Sequence, residues 1–270
     1  IIDSTLNGNI FIIGAADPTL GSQNFYNSSF DVINFISREI KKLNINKITG
    51  KIYCVNKYFL PETYNWLDTD IGNYYGAAPS FINFNDNMYY IIFSTSDSIG
   101  VKPQITKTEP YIPYLSFKNN LTTANQYSGD NCYIINSSNP YNKILNGTIP
   151  ANKKQFKVGG AMPNPELFFA YSIAKHLNSI NVYVDTAVKD TILLNTENLK
   201  NITSVFSPTI AEICKITNLK SINLYAESLI RLAAIKKYNK ANFYHAKLTL
   251  NDFFMSLNLN PYSIAIYDGS

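Results

Sequence analysis

Thr217-Asn218-Leu219-Lys220-Ser221-Ile222-Asn223-Leu224-Tyr225-Ala226-Glu227 is the stretch on which the reading of this 270-residue chain turns. A polar turn sets a serine and an asparagine two positions apart, and an amphipathic helix follows at once. Leu224, Leu229, Leu232 and Ile235 recur at helical spacing, with Glu227, Arg231 and Lys236 between them. Ser and Asn both satisfy the orphan N–H groups of a helix start, so capping by Ser221 or Asn223 is the plain reading of an isolated Ser-x-Asn. The surroundings decide whether the pair does more.

Apolar residues make up 46% of the chain and charged residues only 16%, which excludes a disordered protein. The length suits two or three modules. A net charge of +4 with no Lys/Arg run gives no case for nucleic acid. No apolar run approaches the roughly 18 residues of a membrane span. Cys54, Cys132 and Cys214 are far apart and odd in number, which suits neither a disulfide scaffold nor a zinc site. With His176 and His245 as the only histidines, a multi-histidine metal centre is not expected, and no cofactor is implied. The chain opens on Ile1-Ile2 without Met or a basic leader, so the expectation is a mature or excised piece.

Outward from the central stretch, Asn9 to Ile13 reads as a buried strand ending at Gly14 and a Pro-containing turn. Phe30, Ile33, Phe35, Ile36, Ile40 and Leu43 form a helical stripe, with Ser28 or Ser29 as N-cap. Ile48 to Val55 follows as a strand, and strand–helix–strand implies a small α/β layer with a parallel pair. Trp66 to Ala77 reads as a loop over a pocket or, from residue types alone, a packed aromatic loop. Short β runs fill the chain from Met88 to about Lys157. Pro165 opens a helix with the face Leu167, Phe168, Tyr171, Ala174 and Leu177, and a strand resumes at Asn181–Val184. The expected fold class is therefore α+β and multidomain. Residues 1–84 with 158–190 form an α/β module, sharing one sheet between Asn9–Ile13 and Asn181–Val184, and 85–157 form an inserted all-β module. Helices at Thr209–Thr217, Leu224–Tyr238 and Leu250–Leu257 place 203–270 in a third, partial domain.

Ser-x-Asn followed by Leu-Tyr-Ala-Glu-x-Leu resembles the second active-site motif of serine D-Ala-D-Ala carboxypeptidases. The similarity is to their class C penicillin-binding proteins, the Dac-type carboxypeptidase/endopeptidases. Gly-x-x-Asp-Pro-Thr-Leu at Gly14–Leu20, Trp66–Ala77, Phe84–Asn87 and Asp268-Gly269-Ser270 extend the likeness in family order. Ala15 and Ala16 depart from it, standing where glycines are common. The resemblance implies a β-lactamase/transpeptidase-like fold for 203–270 and acyl-enzyme chemistry on peptidoglycan stem peptides. It also implies β-lactams as ligands of the intact protein and a periplasmic or extracytoplasmic location. Ser221 would relay a proton to the leaving amine, and the Asn223 amide would hold the substrate in line. Asp70 falls where members that read a diaminopimelate-type side chain carry an Asp, with Asp68 as the fallback; the alternative is an Asp that caps a turn.

Two parts of such a site are absent from these residues. A serine hydroxyl needs a nearby amine to take its proton, which the family supplies as Ser-x-x-Lys, and Lys-Thr-Gly lines the far wall. Lys47-Ile48-Thr49-Gly50 and Lys107-Thr108-Glu109 do not match the latter. Ser172-Ile173-Ala174-Lys175 matches the former in letters but follows the Gly-x-x-Asp-Pro-Thr-Leu element instead of preceding it, and so short a pattern arises by chance. The expectation is a fragment whose nucleophile lies upstream of Ile1. The competing readings are a non-catalytic homologue that binds wall peptides and an unrelated α/β binding domain.

Overall fold

The structure, a computed structural model, describes residues 1–25, 28–55, 66–184, 188–192 (backbone only) and 199–270. The chain forms two units. One holds 1–62, 79–86 and 164–270, and the other holds 63–78 and 87–163. The architecture is α+β, as the sequence implies.

In the first unit β1 (Thr5–Leu6) and β2 (Ile10–Ile13) lead to helix α1 (Ser29–Lys41), then β3 (Lys47–Ile48) and β4 (Ile52–Val55). Ser28 caps α1: its hydroxyl accepts the Asp31 N–H while the Asp31 carboxylate accepts the Ser28 N–H. That reciprocal pair satisfies two orphan donors and fixes where the helix starts. Val32 and Ile40 point into the core. Between β2 and α1 the chain turns on Asp17, whose Oδ1 accepts the Thr19 N–H and hydroxyl at 2.8 and 2.7 Å. Ala16, fully buried, sits there at φ 59° with its N–H on the Phe81 carbonyl.

The second unit opens with a short helix α2 (Asp68–Ile71) and a 3-10 turn at Tyr74–Gly76, where a plain loop was expected. Its first sheet is antiparallel, with β5 (Met88–Ser94) between β6 (Gln104–Glu109) and β11 (Phe156–Ala161). The second is built on β10 (Asn142–Pro150). β9 (Asn131–Asn136) runs antiparallel along one edge, and β7 (Ser116–Asn119) and β8 (Thr122–Ala124) run parallel along the other. Ser116 opposite Asn142 and Thr122 opposite Thr148 keep one register, so β7 and β8 are a single strand interrupted at Asn120 and Leu121. Ile134, Leu145 and Ile149 are buried while Tyr133 is exposed, the alternation of a sheet with one covered face.

Back in the first unit, Asn164 caps helix α3 (Pro165–Ser179), with Pro165 at its first position. Phe168, Phe169, Ile173 and Leu177 bury one face, and α3 packs on α1 and β4. β12 (Tyr183–Val184) and β13 (Val188–Ile192) complete the parallel pairing. The expected single sheet is corrected here. The ladders are two, β1-β3-β12 and β2-β4-β13, so Ile10–Ile13 and Tyr183–Val184 lie in different ones. Between β1 and β2 on one strand and β3 and β4 on the other lies a pinch at Gly8 and Gly50, where a Cβ on Gly50 would stand 2.1 Å from the Gly8 carbonyl. Register nonetheless carries across the gap: Thr5 faces Lys47 and Ile10 faces Ile52, while Tyr183 faces Lys47 and Val188 faces Ile52. The unit ends in α4 (Ile210–Lys220), α5 (Asn223–Tyr238) and α6 (Phe243–Ser256), with α5 packed on both neighbours. No helix among the described residues is long and apolar enough to cross a membrane.

Candidate active site

Ser221 and Asn223 stand at the joint between α4 and α5. The last turn of α4 ends with Ser221 in the left-handed region, φ 52° and ψ 55°, its N–H on the Thr217 carbonyl. Glycine or asparagine is the usual residue in that conformation, and any other L-residue there costs roughly 1–2 kcal/mol. Ile222 then extends at φ −92° and ψ 103° and occupies the N-cap position of α5 with no side-chain cap hydrogen bond. The capping reading is thereby corrected. Ser221 lies one residue too early to cap α5, and Asn223 is already its first helical residue. Ser221 is exposed and Asn223 half-buried.

Two buried side chains on the first turns of α5 fix that joint. The Tyr225 hydroxyl donates to Asp86 Oδ1 at 2.9 Å and lies 2.6 Å from Ser22 Oγ. Its ring stacks on Phe25 with centroids 6.1 Å apart. Burial, then the Asp86 charge, pushes the phenol well above its ordinary value, so it stays a neutral donor. Asp86 sits in a left-handed turn, with Asn85, Asp86 and Asn87 all at positive φ, and accepts the Gln23 N–H at 3.3 Å. Two residues along α5, Glu227 is 3.6 Å from the Arg231 guanidinium, which also donates to the Ala241 carbonyl at 3.2 Å. Glu227 accepts the Gly269 N–H at 2.5 Å. Burial raises its carboxyl above the ordinary value, opposed by that N–H and by Arg231. Sequence periodicity set Glu227 and Arg231 between apolar positions; both are in fact buried, at 1% and 2% exposure. Ser22, Phe25, Asp86 and Gly269 thus meet the first turns of α5.

Asp70 belongs to the other unit. It lies in α2, half-buried, and its Oδ1 accepts the Tyr75 hydroxyl at 3.3 Å. Burial and the Asp70 charge raise the Tyr75 phenol. The Asn73 side chain donates to the Thr69 carbonyl at 2.6 Å and to the Tyr75 hydroxyl at 3.2 Å. Two glycines are required for this arrangement. A Cβ on Gly76 would stand 2.1 Å from the Asp70 carbonyl, and one on Gly72 would stand 1.6 Å from that of Ile134. Asp68, the fallback, is exposed. Among the described residues no cluster of His, Cys, Asp and Glu is arranged to hold a metal ion.

Residues 1–270 match the D-Ala-D-Ala carboxypeptidase 3 (S13) family along their whole length. The chain belongs to that family. No curated protein matches the sequence. Among solved structures, the chain is similar to penicillin binding protein 4 (dacB) from Haemophilus influenzae, with a TM-score of 0.76 and 19% identity over 100% of this chain and 58% of that one. The same Haemophilus influenzae protein complexed with a β-lactam gives a TM-score of 0.69 at 17% identity, over 100% of this chain and 56% of that one. The chain therefore shares their fold and spans just over half their length.

In this S13 chain Ser172, the serine of the stray Ser-x-x-Lys, lies mid-way along α3, where its hydroxyl donates to the Phe168 carbonyl at 2.7 Å. That is the back-bond a helical serine makes to its own preceding turn. Sequence reasoning missed the side chains that hold the joint, namely Ser22, Asn24, Asp86 and the Tyr225 hydroxyl. Ser22 and Tyr225 are 203 positions apart, and no local pattern announces the bond between them. The signal that was present is the run Asn85-Asp86-Asn87, the residue types that tolerate left-handed backbone.

Proposed function

We propose that this chain supplies the accessory modules and one active-site wall of a serine-type D-Ala-D-Ala carboxypeptidase/endopeptidase acting on peptidoglycan stem peptides outside the cytoplasm. Ser221 relays the proton to the leaving amine, and Asn223 donates its amide to the substrate carbonyl. The Ser-x-x-Lys nucleophile and the Lys-Thr-Gly wall come from parts of the protein outside residues 1–270. The observation that carries the reading is the joint itself: an exposed serine held left-handed between two helices, two residues before an asparagine that opens the second. A residue kept in a sparsely populated conformation by its surroundings is a mark of a working site.

The test is acylation of the whole protein by a labelled β-lactam. Ser221→Ala and Asn223→Ala should each lower the rate by roughly 10²–10⁴-fold, the scale for losing a positioned proton-transfer or polarising group. Unchanged rates in both would end the proposal. Asp70 is assigned the free ammonium of a diaminopimelate-type side chain. Asp70→Asn should weaken turnover of substrates bearing that amine by about 2–5 kcal/mol in transition-state terms and leave amine-acetylated substrates nearly unaffected. Equal losses on both substrates would make Asp70 a support for its turn.

A further inference from the structure

The two flanks of the Ser221–Asn223 joint converge on one side chain that has no chemistry of its own. Asn24 Oδ1 accepts from Lys220 Nζ at 2.8 Å, and Asn24 Nδ2 donates to the Tyr225 hydroxyl oxygen at 3.5 Å. Lys220 is the last residue of α4, and Tyr225 lies in the first turn of α5. The Asn24 amide therefore reaches from one helix to the other across the turn that carries the reactive pair. Tyr225 is itself held. Its single proton goes to Asp86, so Ser22 must donate to its oxygen, and Ser22 Oγ accepts the Asn24 N–H at 3.0 Å. Ser22 and Tyr225 are both completely buried, so the bond between them is shielded from water.

We infer that Asn24 and Tyr225 are positioning residues: they hold Ser221 left-handed and so aim its hydroxyl and the Asn223 amide together. The inference rests on the assignment of that pair to acyl transfer. Within α4 the hold on that backbone is the cap bond from the Ser221 N–H to the Thr217 carbonyl, and the Cβ of a non-glycine residue works against it. Pinning residues 220 and 225 from outside removes the freedom the joint would need to relax. A relaxed joint still folds, but its hydroxyl and amide no longer share one aim. Misplacement by about 1 Å is enough to lower a rate about a hundredfold.

The experiment uses the whole protein and a fluorescent penicillin, with single-turnover acylation followed to saturation so that rate and prior binding separate. Tyr225→Phe keeps the ring on Phe25 and removes the hydroxyl; Asn24→Ala removes the staple from a half-buried position and keeps the fold if Tyr225→Phe does not. Each should lower the saturating acylation rate about ten- to a hundredfold and leave prior binding within about twofold. Added to Ser221→Ala/Asn223→Ala, Asn24→Ala should cause no further loss. If the two joint substitutions slow acylation but Asn24→Ala and Tyr225→Phe do not, the positioning role is wrong and the acyl-transfer reading stands. A further loss in the doubly substituted background also overturns it, since the effect would then not act through the pair. If Ser221→Ala and Asn223→Ala are themselves silent, both readings fall together.

Discussion

Helices α1 and α5 belong to the same unit and are of similar length, 13 and 16 residues, yet they begin in opposite ways. α1 follows local rules throughout. It has a reciprocal Ser28–Asp31 cap, an acidic first turn and Arg38 and Lys41 in its last turn, where the helix dipole favours cations. α5 has no side-chain cap and follows a left-handed serine. Beside Leu224, Tyr225 and Ala234 it buries the ion pair Glu227–Arg231 and Ser228, whereas α1 buries no charge, only Val32, Ser37 and Ile40. A helix whose start obeys the rules needs nothing from distant residues. One that breaks them is held by tertiary contacts, and in this chain two of those contacts, from Asp86 and Gly269, come from stretches that carry the family resemblance.

The largest expected break in the contrast is at Arg231. Arg231→Met leaves Glu227 buried without its partner and should lower unfolding stability in denaturant by about 3–5 kcal/mol. Glu227→Gln combined with it should recover much of that. A loss under about 1 kcal/mol would show that α5 is held, like α1, by its apolar contacts alone.

The helix starts should respond with opposite signs. Ser28→Ala should destabilise by about 1 kcal/mol, the usual result of deleting a cap. Ser221→Gly should stabilise by up to about 1 kcal/mol, because glycine accepts the left-handed backbone without a Cβ penalty, and it should slow acylation in the whole protein. A Ser221→Gly variant that is less stable would remove the strain argument.

Smaller still, two glutamates should give opposite pH slopes. Hydrogen bonds from Thr209 hold the Glu212 carboxyl below its ordinary 4.5, so its contribution is present above that pH and fades as pH falls through the lowered value. Burial raises Glu227 above 4.5, so its contribution is fullest below 4.5 and fades as pH rises through the raised value. Thermal unfolding across the acid range should lose the first slope in Glu212→Gln and the second in Glu227→Gln. Parallel curves for the two variants would contradict both signs.

What could be read in the sequence follows the same division. Ser28 or Ser29 before an apolar stripe and Pro165 before another are local signals: Ser28 proves to be the cap of α1, and Pro165 opens α3. The strand–helix–strand order of the first unit is likewise local, and β2 and β4 pair in parallel. Glu227 and Arg231 looked like a polar flank because a periodicity argument assigns charges to water. Their burial depends on the Ala241 carbonyl and the Gly269 N–H, which no window around α5 contains. Ser221 looked like a cap because residue type was legible and backbone sign was not. At Trp66–Ala77 a short helix replaced the expected loop. Its single turn is supported by Gly72 and Gly76 fitting beneath neighbouring carbonyls, a packing fact that sequence spacing does not express.

The interrupted sheet has a consequence for how this chain can change. Register is common to both sides of the Gly8–Gly50 pinch, so the short gaps Asn7–Asn9 and Thr49–Lys51 act as rulers. The ties across them are Thr49 N–H to Leu6, Lys51 N–H to the Asn9 side chain and Ile10 N–H to Lys51. Adding or deleting one residue in either gap would turn the following strand over, presenting to solvent the side chains it now buries. Away from Gly50 and Asn9, substitutions there are cheap, but single-residue insertions and deletions are not. Among descendants of this chain, the lengths of these two gaps should drift far less than their spelling.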